Sequence, residues 1–276
     1  MRTIIIVLSI IIILNQDSFA LVADSLETDQ SASVSIFDDA KNFFNTGIGL
    51  ATSPFAFNSS DWINAGLVTA GTVSLFTIDK SVRELASKNQ SELNNKLFNF
   101  DAFYGNAYTA LFTASIYGFG ILSNNKGIRN LGLNSFEAFF YSGLITGILK
   151  VSIGRRRPYA GDSHLYFKPF QLTDNDFQSL PSGHTTVSFA VSTVLAQYLD
   201  NIFWKVFWYG AAGMVSLSRV YHNQHWFSDI FLGAAIGYFV GQFIVNQNTE
   251  TSSRITANQI KPYFGLNRIG IVFMLK

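Results

Sequence analysis

The chain has no cysteine. That removes disulfides, thiolate nucleophiles and thiolate metal sites together, while leaving the redox state of its compartment open. Charge is also scarce. Asp, Glu, Lys and Arg make up 13% of the residues, where about a quarter is usual. The formal net charge is +1, so no global field recruits nucleic acid, and no nucleic-acid partner is expected. Only 5 prolines occur in 276 residues, and none interrupts the long apolar stretches. What fills the space is hydrophobic: 48% of the chain, with 27 phenylalanines. Such a composition lies between an ordinary soluble enzyme and a polytopic membrane protein.

Residues 1–20 read as a secretory signal: Arg2 gives a positive start, Ile4–Leu14 an apolar run, and Ser18-Phe19-Ala20 a small-x-small cleavage site. The run is shorter than the ~20 residues a membrane span needs, although an uncleaved anchor would carry the same pattern. Either way an exported protein is expected, in a bacterial periplasm or membrane with its site outside the cytoplasm. Residues 21–60 form a lead segment that combines Phe37, Phe43, Phe44, Phe55 and Phe57 with polar residues. The expectation is an amphipathic helix, lining the core or lying on a membrane surface, then a loop at Ser53-Pro54. Residues 247–276 are a tail in which Ile269–Leu275 fits a strand or a segment packed on the bundle.

Between these, residues 61–246 alternate apolar and polar stretches. Six apolar segments, Trp62–Ile78, Phe103–Leu122, Phe136–Leu149, Thr185–Leu199, Ile202–Leu217 and Ile230–Val245, are too long for strands and read as helices. The polar stretch Asp79–Lys96 is a further, short helical region. The predicted fold is all-α, a bundle of about six main helices. Phe103–Leu122 has the length and apolarity of a span, Phe136–Leu149 carries Glu137, and Ile202–Leu217 carries Lys205. A membrane-embedded bundle and a tightly packed soluble one both satisfy this pattern. Gly233, Gly237 and Gly241, at four-residue spacing, let helices approach closely in either.

The few charges in the apolar region gather in three clusters. The first is Lys150 with Gly154-Arg155-Arg156-Arg157-Pro158. Pro158 disfavours helix at Arg157, so the helix through Lys150 is expected to end about there, with Lys150 and Arg157 two turns apart on one side. An Arg fork and a mobile Lys together suit a phosphate. Arg155 and Arg156 need be nothing more than a basic flank placed by topology. The second cluster is Pro181-Ser182-Gly183-His184, a turn that opens an apolar helix. Its backbone N–H groups would form an anion site, with the Ser182 hydroxyl as donor and His184 as a proton donor. Ser182 as a simple N-cap is the blander alternative. The third runs from Ser218-Arg219 to His225 and Asp229. The i,i+4 spacing of His225 and Asp229 would put them on one helix face, where the carboxylate sets the imidazole tautomer and leaves the other nitrogen nucleophilic. Taken alone, such a pair is more often a surface contact. His222 has no partner at useful spacing and reads as a rim residue. No metal is expected, because His184, His222 and His225 lack the spacing of a helical zinc pair.

Together these clusters resemble the signature of the type-2 phosphatidic acid phosphatase superfamily, which includes bacterial acid phosphatases, lipid phosphate phosphatases and vanadium haloperoxidases. Lys-x6-Arg-Pro matches Lys150–Pro158, Pro-Ser-Gly-His matches Pro181–His184, and Ser-Arg-x5-His-x3-Asp matches Ser218–Asp229. The resemblance implies a helical bundle with its site at one end. It also implies a metal-independent phosphatase in which His225 becomes phosphorylated, Asp229 orients it and His184 serves as acid, then base. Lys150, Arg157, Ser182, Gly183 and Arg219 would hold the phosphate oxygens. No cofactor is implied, and vanadate would act as an inhibitor. The implied substrates are lipid phosphates or diphosphates, of phosphatidate or prenyl diphosphate type. A soluble periplasmic acid phosphatase of broad specificity is the alternative, and a vanadium haloperoxidase a remote one.

Overall fold

The structure, a computed structural model, describes residues 36–161, 163–248, 260–265 and 268–273. The export pattern of residues 1–20 lies outside the described residues. Residues Ser35–Thr256 form one compact unit, and Ala257–Lys276 belong to another. The latter is described only as an antiparallel hairpin of β1 (Ile260–Gly265) and β2 (Arg268–Phe273), with Ile260 opposite Phe273. Residues 269–273 of the apolar end of the tail are thus strand.

Among the described residues the larger unit has nine α-helices: α1 Ile36–Thr52, α2 Ser59–Leu75, α3 Asp79–Lys88, α4 Glu92–Phe98, α5 Ala107–Leu122, α6 Lys126–Ile153, α7 Gly183–Leu199, α8 Ile202–Tyr221 and α9 Phe227–Asn248. The all-α expectation holds for this unit. Six of the nine are the predicted main helices, joined by lead helix α1 and by α3 and α4, which divide the polar stretch at Asn89–Ser91. Asparagine starts four of them. Asn58, Asn106, Asn125 and Asn201 each accept a hydrogen bond from a backbone N–H of the first turn, satisfying donors that have no partner within the helix.

Helix α7 is the axis of the unit and is buried for almost all of its length. It packs against α6, α8 and α9. The predicted glycine stripe explains how close α9 comes. A Cβ at Gly233 would lie 2.8 Å from the Ser182 carbonyl, one at Gly241 2.7 Å from the Ala190 carbonyl, and one at Gly237 would collide with the Thr186 carbonyl. Any side chain there would push α9 off α7.

The other helices turn apolar side chains outward. Leu111, Phe119 and Leu122 of α5, Phe140, Leu144 and Ile148 of α6, and Phe203, Val206 and Phe207 of α8 are all exposed. By length and composition, α6 and α9 are able to cross a membrane. Helix α1 mixes the two roles foreseen for it. Phe43 packs on Phe140 and Tyr141, whereas Phe37 and Phe44 face outward.

Candidate active site

Four helix ends meet at one end of the bundle. The C-terminus of α6 brings Lys150, the N-terminus of α7 brings Ser182, Gly183 and His184, the C-terminus of α8 brings Arg219, and the N-terminus of α9 brings Asp229. The three sequence clusters therefore converge, though not quite as their spacing suggests. Helix α6 stops at Ile153, before Arg157, because Gly154 adopts a left-handed conformation (φ 63°) and its Cα faces the Lys168 carbonyl, where a Cβ would collide. Arg157 consequently reaches the site from an extended segment rather than from the face of Lys150. Similarly, His225 precedes α9 instead of lying on it. The chain reverses after α8, and the His225 amide donates to the Arg219 carbonyl at 3.2 Å.

Each cation already has a protein acceptor. Lys150 Nζ donates to the Gln178 carbonyl. Arg157 donates to the Asn175 carbonyl and to Gln224 Oε1, both at 3.0 Å. Arg219 Nη1 pairs with Asp101 Oδ2 at 2.5 Å, while its Nε is buried without a partner. At the start of α7 the Ser182 N–H is occupied by the Asp229 carbonyl at 3.0 Å, leaving the Gly183 and His184 amides at the helix N-terminus. The Ser182 hydroxyl is fully buried and accepts from Thr185 Oγ1 at 3.0 Å. The Lys150 stem lies beside Gly183, with Cε 3.6 Å from where a Cβ would be.

His225 is buried, and its Nδ1 has no hydrogen-bond partner. Asp229 Oδ2 approaches that nitrogen to 3.6 Å, close enough for charge to be felt but too far for a hydrogen bond. Burial, then the positive charges of Lys150, Arg157 and Arg219, hold His225 well below the usual imidazole range. His184 is lowered to about 4 by burial and by Arg219. Both imidazoles are thus neutral at neutral pH, and His225 has the free lone pair that a nucleophile requires. His222, expected to stand alone, has its Nε2 3.1 Å from the Phe98 carbonyl.

Sequence reasoning missed several residues here. Asp101 pairs with Arg219 from a 3-10 turn, Asn99–Ala102, more than a hundred residues upstream. Arg155, read as possible basic flank, is fully buried between two carboxylates, Asp79 and Asp229. Three arginines in a row did not show which one turns inward. The polar stretch beginning at Asp79 was visible, but its contact with Arg155 was not.

Next to the anion-facing groups lies a cavity of about 320 Å³. Lys150, Gly183 and His184 form its polar end, Ala107, Phe139, Gly143, Gly147 and Val187 supply most of the rest, and Asn106 and Thr146 add two further polar groups.

A helical bundle that gathers cations and two neutral histidines at one end belongs to the class of anion-handling bundles. Residues 132–252, which hold all three clusters, match the family described as the PAP2 superfamily. The chain is 27% identical over 177 residues to lipid A 1-phosphatase of Porphyromonas gingivalis, covering 63% of this chain and 36% of the relative. It is 30% identical over 169 residues to a probable diacylglycerol pyrophosphate phosphatase of Schizosaccharomyces pombe, covering 48% and 58%. It therefore spans between about a third and three-fifths of these relatives. The fold is similar to that of a transmembrane PAP2-type phosphatidylglycerolphosphate phosphatase of Bacillus subtilis, with a TM-score of 0.51 at 18% identity over 79% of this chain and 98% of that one.

Proposed function

We propose that this protein is a membrane-associated phosphatase of lipid phosphates or lipid diphosphates, working outside the cytoplasm through a phosphohistidine. The observation that carries the choice of a lipid is the cavity. Its polar end is formed by Lys150 and His184, and apart from Asn106 and Thr146 the rest of its lining is apolar or glycine, so a phosphate at the cations leaves room for an alkyl chain beside Phe139 and Val187. The outward apolar faces of α5, α6 and α8 suit contact with a bilayer. The names of the relatives agree with a phosphorylated lipid, and the export pattern of residues 1–20 agrees with the location.

The chemistry we propose uses this arrangement as follows. With its Nδ1 turned to Asp229, His225 attacks phosphorus through Nε2. The N–P bond forms as the P–O bond to the leaving group breaks. The departing oxygen takes a proton from His184, which the negative charge of the bound phosphate recharges despite its low resting pKa. His184 then accepts a proton from water, whose oxygen attacks phosphorus. The N–P bond breaks, its electron pair returns to His225, and phosphate leaves. Lys150, Arg157 and Arg219 spread the charge of the equatorial oxygens, aided by the Ser182 hydroxyl and the Gly183 N–H. Losing one such preorganised donor typically costs about 10²–10³ in rate. Vanadate should compete as a mimic of the five-coordinate phosphorus.

The test is phosphate release from a long-chain lipid phosphate and from a small aryl phosphate in detergent, with His225→Ala protein as the blank. Strong preference for the lipid supports the reading. Equal or better turnover of the aryl ester would make this a phosphatase of broad specificity, and no release from either would overturn it.

A further inference from the structure

Helix α3 lies outside residues 132–252, the part that matches the family, yet its first residue enters the centre of the site. Asp79 is fully buried. Its Oδ2 accepts from Arg155 Nη2 at 2.7 Å and from the Ser228 hydroxyl at 2.6 Å, and its Oδ1 accepts from the Ser228 N–H at 2.9 Å. Arg155, also fully buried, uses Nη1 to reach Asp229 Oδ1 and Ser228 Oγ, both at 2.7 Å. Its remaining donors go to the His164 carbonyl at 2.7 and 3.0 Å. Phe76 covers the guanidinium face at 4.3 Å. Asp229 completes the chain, with Oδ2 accepting from Ser179 Oγ at 2.5 Å and from the Trp226 N–H at 2.8 Å.

We infer that Asp79 and Arg155 are positioning residues for His225, acting through Asp229. The inference rests on the phosphatase reading only for its kinetic consequences. A buried ion triad is a poor way to gain stability, because desolvating three charges offsets most of their attraction. It does control charge. Asp79, Arg155 and Asp229 sum to one negative charge next to His225, opposite the positive end formed by Lys150, Arg157 and Arg219. Without Asp79, Arg155 would neutralise Asp229 alone, and the imidazole would lose its counter-charge when positive charge develops on it. The Arg155 Nη1 contact to Oδ1 also helps hold the rotamer of Asp229, together with the Ser179 and Trp226 donors to Oδ2, since at 3.6 Å His225 makes no hydrogen bond to it.

The experiment uses the full chain in detergent with two substitutions: Asp79→Asn and the milder Ser228→Ala. Asp79→Asn should lower kcat about 10–100-fold, by analogy with the outer-sphere partners that orient metal-bound imidazoles. Its KM and vanadate inhibition should stay within about twofold, since no phosphate-binding group changes. Ser228→Ala, which removes only the bridging hydroxyl, should show the same pattern at about three- to tenfold. A folding defect would instead lower the active fraction, which vanadate-binding titration counts, and would leave kcat per active site unchanged. Independently of turnover, the ¹⁵N shifts of the His225 ring, assigned against His225→Ala, should show a changed tautomer ratio and a lower titration midpoint in Asp79→Asn. The other groups facing this ring, Lys150, Arg157, Arg219 and His184, are the same in both proteins. If the His225 ring shifts match wild type in both folded Asp79→Asn and folded Ser228→Ala, the inference fails. If those shifts change but no ester is hydrolysed, the positioning role stands and the phosphatase reading falls instead.

Discussion

The bundle buries charge and polarity at both ends, and the two ends are built on opposite plans. At the far end, Asp39 of α1 accepts from Tyr117 at 2.6 Å and pairs with Arg129 at 2.7 Å. Nearby, Glu137 accepts from Thr46 at 3.4 Å and Asn248 at 3.0 Å, and Asn134 joins Asn248 to Tyr198. Each charge there meets a complementary group, and the cluster ties α1 to α5, α6 and α9. The near end gathers Lys150, Arg157 and Arg219 around two neutral histidines and leaves the Nε of Arg219 and the Nδ1 of His225 buried without partners. Buried polarity alone therefore does not mark a site. A surplus of one sign, with donors left unsatisfied, does.

The strongest way to sharpen the contrast is to remove the proposed nucleophile. His225→Ala should abolish turnover of every phosphate ester while leaving vanadate inhibitable binding detectable by isothermal titration, since the cations remain. Asp229→Asn should come next, lowering kcat at least about 10²-fold with little change in KM, because it disturbs the chemical step rather than the anion cradle. Steady-state kinetics on the aryl ester separates these outcomes. A rise in KM alone would reduce Asp229 to a wall of the pocket.

Much of this was legible beforehand because the information is local. Apolar runs free of proline gave the main helices, and the Gly233–Gly237–Gly241 stripe announced a close helix contact that α7 supplies. The residues of the three clusters also come together, since each sits at or beside a helix end. What sequence could not convey was backbone direction after those ends. Gly154 turns the chain before Arg157, so helical spacing was the wrong ruler for Lys150 and Arg157, whereas His225 still approaches Asp229 to 3.6 Å from the reversal that precedes α9. Long-range partners were hidden for a different reason. Asp79 and Asp101 look like ordinary polar residues until the fold brings them against Arg155 and Arg219.

Two further substitutions separate the ends by what they leave intact. Gly143 borders the cavity, and a Cβ there would meet only Val187, at 3.9 Å. Gly143→Leu should therefore fold and should place its side chain in the apolar slot. The expected result is about a tenfold loss of kcat/KM for the lipid phosphate, equivalent to roughly 1.4 kcal/mol, with the aryl ester within twofold. Equal losses for both would move the alkyl chain out of this cavity. At the far end, Asp39→Asn should lower the melting temperature by several degrees with kcat unchanged, as expected for a clamp that touches no reacting group.

The smallest expected effect is one of pH on stability, and it also belongs to the near end. His184 has its pKa lowered to about 4 in the folded protein, against about 6.5 in an unfolded chain. His225 is lowered as well, by burial first. Between these values the unfolded chain binds protons that the folded site refuses. The stabilisation these groups confer is thus fully present above about pH 6.5 and is lost as pH falls toward 4. Melting temperature should therefore decline over that window, and His184→Gln should flatten part of the decline without affecting the plateau above it. Saturating vanadate should reduce the decline too, because an anion among Lys150, Arg157 and Arg219 offsets the positive charge that, after burial, lowers the pKa of both imidazoles. A decline unchanged by both treatments would mean that the acid sensitivity arises elsewhere, and that the low pKa values of these two histidines do not govern the site.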